Sequence, residues 1–277
     1  MSSNKIEFVF QNKVHQILNP DPNETVLNFV RSNLKKTGTK EGCAEGGCGA
    51  CTIVLGELKN NKILYKSINS CITFVPVLNG KQLILIENLT SENGKLHSVQ
   101  NAMVDYHGSQ CGFCTPGFVM SMFAMFKNNK SINNEIINDS LSGNLCRCTG
   151  YRPIIDAAKS LNNLSRYDHF DKDKFITLRL LKKITKKNIE ITSNNKKYFA
   201  PKTIKELKKI LNKVKDAKLL SGGTDLSLEV TKKRKELEKI IYLGSVEELN
   251  FIKKYKNAIE IGASTPLINF EKQIKKY

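Results

Sequence analysis

Eight cysteines carry the chemistry this sequence is equipped for, and they fall in two sets of four. Cys43, Cys48 and Cys51 follow a C-x4-C-x2-C pattern in "EGCAEGGCGAC", with Cys71 well downstream. That spacing is the ligand pattern of a plant-type 2Fe–2S cluster, whereas structural zinc favours two short knuckles. A loop wrapping a cluster brings backbone N–H groups to sulfur and adopts positive φ in places. Gly42, Gly46, Gly47 and Gly49 supply that freedom. The second set is Cys111 and Cys114 in "GSQCGFCTPGF" with Cys146 and Cys148 in "NLCRCTGYRP". A thioredoxin-type pair follows a strand and opens a helix. Here the residues before Cys111 read as helical and no βαβ pattern lies near. Two short pairs on turns between helices can converge on one site from opposite sides, and for this set spacing alone leaves zinc open.

The elements that must position these residues change in period along the chain. "IEFVF" and "VHQIL" read as two strands joined through "QNK". A helix follows, with a cap expected at Asn23 and apolar Val26, Phe29, Val30 and Leu34 at helical spacing. "CTIVLGEL", "ILYKSINSC" and "KQLILIENL" read as three strands, giving a small mixed sheet with one helix on it. From Leu96 the spacing turns helical through Val99, Met103 and Tyr106. Pro116 and Pro153 then sit where helices would start. This marks a second, all-helical unit at about 90–163. A charged, irregular stretch at 164–196 reads as a linker. A third unit has a helix from Thr203, a glycine turn "SGGTDL", and strands at "AKLL", "IIYL" and "AIEIGAST".

Composition narrows the function classes. The 277 residues suffice for about two domains of ordinary size. No stretch approaches the roughly 20 apolar residues of a membrane span, so no membrane is expected. "MSSNKIEFVF" lacks the marks of a secretory signal. A cytoplasmic location is therefore expected, where clustered thiols mean metal or redox chemistry. Residues 166–277 hold 28 Lys and Arg against 14 Asp and Glu, and the first 165 residues are nearly balanced. The lysines are scattered, acids are interleaved and aromatics are few. A solvated surface is the better reading, and no nucleic-acid partner is expected. His15, His97, His107 and His169 are scattered and read as surface or structural residues, and no catalytic constellation stands out.

The long motifs resemble the molybdenum hydroxylases, the xanthine dehydrogenase and aldehyde oxidase family. "GTKEGCAEGGCGACTIVL" and "SCITFVPVLNGKQLILIENL" resemble its first cluster loop and downstream ligand strand. "LHSVQNAMVDYHGSQCGFCTPGFVMSMFA" and "GNLCRCTGYRPI" resemble the two halves of its second cluster site. The resemblance implies an α+β, multi-domain chain: a β-grasp, ferredoxin-like 2Fe–2S domain at 1–89, a four-helix 2Fe–2S domain at 90–163, a linker at 164–196, and the start of an α/β FAD-binding domain at 197–277. It implies that Cys43, Cys48, Cys51 and Cys71 hold an outer cluster near flavin. Cys111, Cys114, Cys146 and Cys148 would hold an inner cluster near the molybdenum cofactor, with Gln110 hydrogen-bonding the pterin.

"KLLSGGTDLSLEV" resembles the family's flavin pyrophosphate loop, which assigns Leu220, Ser221, Gly222, Gly223, Thr224, Asp225 and Leu226 to FAD. The family's FAD domain runs on beyond "IEIGASTPL", so this chain reads as ending inside it. The implied role is an electron-transfer subunit of xanthine dehydrogenase kind. It would carry electrons from a large molybdopterin-binding subunit through two clusters to FAD and NAD+, within a hetero-oligomer that oxidises purines. The alternatives are the corresponding part of an aldehyde oxidoreductase or carbon monoxide dehydrogenase-like enzyme, and, from another class, a zinc-stabilised nucleic-acid-binding module.

Overall fold

A hairpin opens the chain. β1 (Lys5–Phe10) and β2 (Lys13–Leu18) join through Gln11 and Asn12 at φ 50° and 57°, the left-handed pair that a two-residue hairpin turn needs. The computed structural model describes residues 4–184 and 188–274. Residues 185–187, within the expected linker, and the final three residues lie outside the described residues. Two compact units result. One comprises the described residues of Glu7–Gln16 and 24–186, and the other those of 1–6, Ile17–Asn23 and 187–277.

In the first unit the strands run β2-β1-β5-β3-β4, with β3 (Thr52–Lys59), β4 (Lys62–Asn69) and β5 (Gln82–Ile84). β1 and β5 are parallel, and β3 is antiparallel to both β4 and β5. α1 (Val26–Ser32) lays Val26, Leu27, Phe29 and Val30 into the core. Its N-cap is Thr25, whose hydroxyl accepts from Asn28 N–H, and not Asn23 as expected from sequence. Both residue types cap well, and Asn23 is engaged elsewhere.

The helices α2 (Ser98–Asp105), α3 (Thr115–Asn128), α4 (Asn134–Leu141) and α5 (Arg152–Ser160) follow the expected order. α3 is the axis of this part. It packs on β3 and β4 as well as on α2 and α4, so every residue from Gly117 to Phe126 is buried. That all-round apolarity is what a fully enclosed helix requires.

The described residues of 164–196, expected as a linker, carry regular structure. α6 (His169–Lys172) and α7 (Lys174–Ile184) follow one another, and Leu181 and Ile184 pack against Val9. Beside α6 lies a buried charge network. Lys127 Nζ donates to both carboxylate oxygens of Asp168 (3.0 and 3.1 Å) and to Asp171. Asp168 Oδ2 also lies 2.8 Å from His97 Nε2. His97 Nδ1 accepts from Val99 N–H, which leaves Nε2 as the donor.

The second unit is a sheet of order β6-β7-β9-β8. β6 (Ile189–Ser193) and β7 (Lys196–Ala200) form a hairpin turned by Asn194 and Asn195. α8 (Ile204–Lys213) starts at Thr203, which exchanges capping hydrogen bonds with Glu206, and buries Leu207 against Phe199 and Ile241. β8 (Lys218–Leu220), α9 (Leu226–Thr231) and β9 (Lys239–Tyr242) follow, with β9 parallel to both β7 and β8. A ribbon of β10 (Ile252–Lys254) and β11 (Ile259–Ile261) leads to α10 (Leu267–Ile274).

Residues 17–23 belong to this second unit through specific bonds. The Asn23 amide donates to Leu237 O (3.0 Å) and accepts from Leu237 N–H (2.7 Å). Lys196, almost fully buried, bridges Asp21 and Glu236. Among the described residues no helix is long and apolar enough to cross a membrane.

Candidate functional site

The first cysteine set sits where the loop after α1 meets the start of β3. Ala44 (φ 55°), Gly46 (77°) and Gly49 (71°) all adopt left-handed backbone, so the loop curls around its own sulfurs. Glu45 N–H and Gly47 N–H lie 3.4 and 3.3 Å from Cys43 Sγ. A Cβ on Gly42 would come within 2.7 Å of Cys48 Sγ, so only glycine lets that sulfur in. Cys51 and Cys71 are buried, and their sulfurs are 3.2 Å apart.

The four thiols do not behave alike. Burial opposes ionisation of Cys43, but the N–H groups of Glu45, Cys48 and Gly47 outweigh it and lower its pKa. Cys51 is drawn down to about 7, chiefly by its hydrogen bond with Cys71. That same bond, together with burial, pushes Cys71 far up. Sharing a proton within a sulfur pair lets one member ionise at the other's expense.

The second set is built on two turns between helices, as the sequence suggested. Cys111 is exposed just before α3, and Cys114 is that helix's N-cap, with Pro116 in the first turn. Cys146 and Cys148 lie on the turn that enters α5. There Tyr151 stands at φ 68° and its hydroxyl accepts from Cys146 N–H. The turns bring Cys111 to Cys148 and Cys114 to Cys146 within hydrogen-bonding reach. Burial and the neighbouring Cys146 push Cys114 up to about 12. Cys146 falls to about 7 despite its burial, because Thr149 and Cys148 donate to it. Among the described residues no three Cys, His, Asp or Glu side chains are arranged to hold a single metal ion. The sulfurs gather in pairs.

Gln110 is exposed on the turn beside Cys111. In the other unit, Leu220 to Leu226 run from the end of β8 into α9. Gly223 is at φ 81°, and the Cβ position of Gly222 faces open space. Such a bend presents successive N–H groups to an anion. Ser227 Oγ, one residue on, is buried and without a hydrogen-bond partner. Sequence reading missed Asn144. It is buried between the two cysteine loops and bonded to Gly49, Thr52 and Ser121, partners too distant in sequence for any local pattern to reveal.

Comparison with known proteins gives three family matches in chain order. Residues 9–76 match the 2Fe-2S iron-sulfur cluster binding domain, and residues 85–159 the [2Fe-2S] binding domain. Residues 190–277 match the FAD binding domain in molybdopterin dehydrogenase. The chain is 47% identical over 163 residues to xanthine dehydrogenase of Blastobotrys adeninivorans, covering 58% of this chain and 12% of that protein. It is 32% identical over 297 aligned positions to xanthine dehydrogenase of Emericella nidulans, covering 91% and 22%. The solved structure of quinoline 2-oxidoreductase from Pseudomonas putida 86 aligns with a TM-score of 0.48 at 30% identity, over 57% of this chain and 93% of that one. The chain thus spans 12% and 22% of the length of these two curated relatives.

Proposed function

Because the chain belongs to the molybdenum hydroxylase family, as a xanthine dehydrogenase-type iron–sulfur and FAD region, we propose that it is an electron-transfer part of such an enzyme and that its eight cysteines are the cluster ligands. When bound, two 2Fe–2S clusters and FAD supply the one-electron and two-electron carriers between a molybdopterin-bearing partner, where a purine is hydroxylated, and NAD+. The protein's own task is to hold and tune.

One observation carries this reading: each cysteine set gathers as two sulfur pairs, Cys51 with Cys71 at 3.2 Å and Cys43 with Cys48 in the first, Cys111 with Cys148 and Cys114 with Cys146 in the second. Two pairs suit two irons, each taking two thiolates, better than one tetrahedral zinc. The donors around Cys43 support the same assignment, since N–H groups aimed at sulfur stabilise thiolate charge and set the reduction potential. In the other unit, the bend at Ser221–Gly223 would take the flavin pyrophosphate on its N–H groups, and the open space at Gly222 leaves room for close approach. Gln110, exposed beside Cys111, would reach the pterin of the partner in a cytoplasmic hetero-oligomer.

The assignment is tested by Cys148→Ser in the whole chain. Cys148 is exposed and meets Cys111, so losing it removes the second cluster's signal in electron paramagnetic resonance and leaves the first. Retention of both signals at full intensity would show that Cys148 is not a ligand.

A further inference from the structure

The two cysteine sets meet through the main chain. Leu145 N–H donates to Cys48 O at 2.9 Å, so the residue before Cys146 is bonded directly to a cysteine of the first set. The adjoining side chain reinforces this contact. Asn144 is 4% exposed. Its Nδ2 donates to Gly49 O at 3.0 Å and to Thr52 Oγ1 at 3.2 Å, and its Oδ1 accepts from Ser121 Oγ at 2.6 Å. Both donors of the amide therefore serve the first loop and the first residue of β3. The acceptor serves α3, whose N-cap is Cys114.

An amide that merely caps its own turn bonds to residues a few positions away. These partners lie 95, 92 and 23 residues away in sequence. Backbone packing closes the rest of the junction. A Cβ on Gly117 of α3 would come within 2.2 Å of Gly49 O, and one on Gly49 within 2.3 Å of Gly143 O. No side chain can enter between the strands of main chain that join the two sets.

We infer that Asn144 is a positioning residue that locks both cysteine sets into one body, so that the geometry of each site depends on the other. Satisfied on three sides in a buried setting, its amide acts as a rigid spacer. Its removal leaves the Ser121 hydroxyl without that acceptor and takes one of three hydrogen bonds from Gly49 O, which Thr52 N–H and Thr52 Oγ1 still hold, so the peptide beside Cys48 loosens without being released. The inference rests on the proposed reading that both sets hold clusters.

Asn144→Ala in the full chain tests it, read by the reduced-state paramagnetic resonance spectrum and by iron content. Asn144 neighbours the second set in sequence, yet the variant is expected to shift the g-values of the first cluster and to change the magnetic splitting between the two. A change confined to the second cluster's signal, with the first untouched, would overturn the inference. Should Asn144→Ala not fold, Ser121→Ala removes only the bond to α3. It is expected to shift the first cluster's g-values by a smaller amount, and no shift there counts equally against the lock. Wild-type protein with no cluster signal would instead refute the cluster reading itself.

Discussion

Gly49→Ala is expected to destabilise this chain by about 2–5 kcal/mol, from two independent penalties at one position. Gly49 is buried with φ at 71°, and a left-handed backbone costs a residue with a Cβ roughly 1–2 kcal/mol. The new methyl would also stand 2.3 Å from Gly143 O and 2.9 Å from Asn144 Cα. Both are backbone atoms that cannot swing aside, and overpacking of this kind costs about 1–3 kcal/mol. Against the roughly 5–15 kcal/mol that holds a typical domain, the sum is a large fraction. The variant should unfold at markedly lower denaturant concentration, with loss of iron from the first site. Gly47→Ala is the control. Its Cβ would meet only the Glu45 side chain, at 3.9 Å, so a change within about 0.5 kcal/mol is expected for such an open site. Equal effects at both glycines would show that the backbone junction is not what makes Gly49 necessary.

Lys127→Met is expected to cost about 3 kcal/mol, the scale for breaking a buried ion pair. The Lys127 side chain is 4% exposed and that of Asp168 10%. Removing the ammonium leaves both Asp168 and Asp171 without their cation. Stability of the wild type carries the same signature in pH. Burial alone would raise the pKa of Asp168, but the hydrogen bond from His97 and the charge of Lys127 outweigh it and hold the carboxyl well below the usual carboxylate range. A carboxylate depressed on folding contributes stability that is present above its unfolded pKa of about 3.9. That contribution drains away as the pH falls below about 4. Denaturant midpoints measured from pH 6 down to pH 2 should fall steeply for the wild type, and less steeply for both Lys127→Met and Asp168→Asn. An unchanged acid dependence in Asp168→Asn would place the acid-labile group elsewhere.

This network also shows where sequence reading stopped. Thr177, Leu181 and Ile184 are the buried residues of α7, spaced at i, i+4 and i+7 as a helix requires. The pattern was present in "KFITLRLLKKI" but hidden among lysines that hold the solvent side. The Asn194–Asn195 turn between β6 and β7 was likewise available, since paired Asn residues tolerate positive φ. Asn23 was a different matter. Asn23 and Thr25 are both good caps, and only the fold decides between them, because the Asn23 amide finds Leu237 at a separation of 214 residues. The cysteine sets were legible because ligand spacing, glycine and proline act locally. Asn144 was not, because its meaning lies wholly in partners that the fold brings to it.

The central claim is that eight cysteines hold two clusters of two irons each. The most direct test is metal and acid-labile sulfide analysis of the purified chain, joined to low-temperature paramagnetic resonance after reduction. The account predicts about four irons and about four sulfides per chain, with two distinct signals. A colourless protein carrying stoichiometric zinc and no sulfide would contradict it.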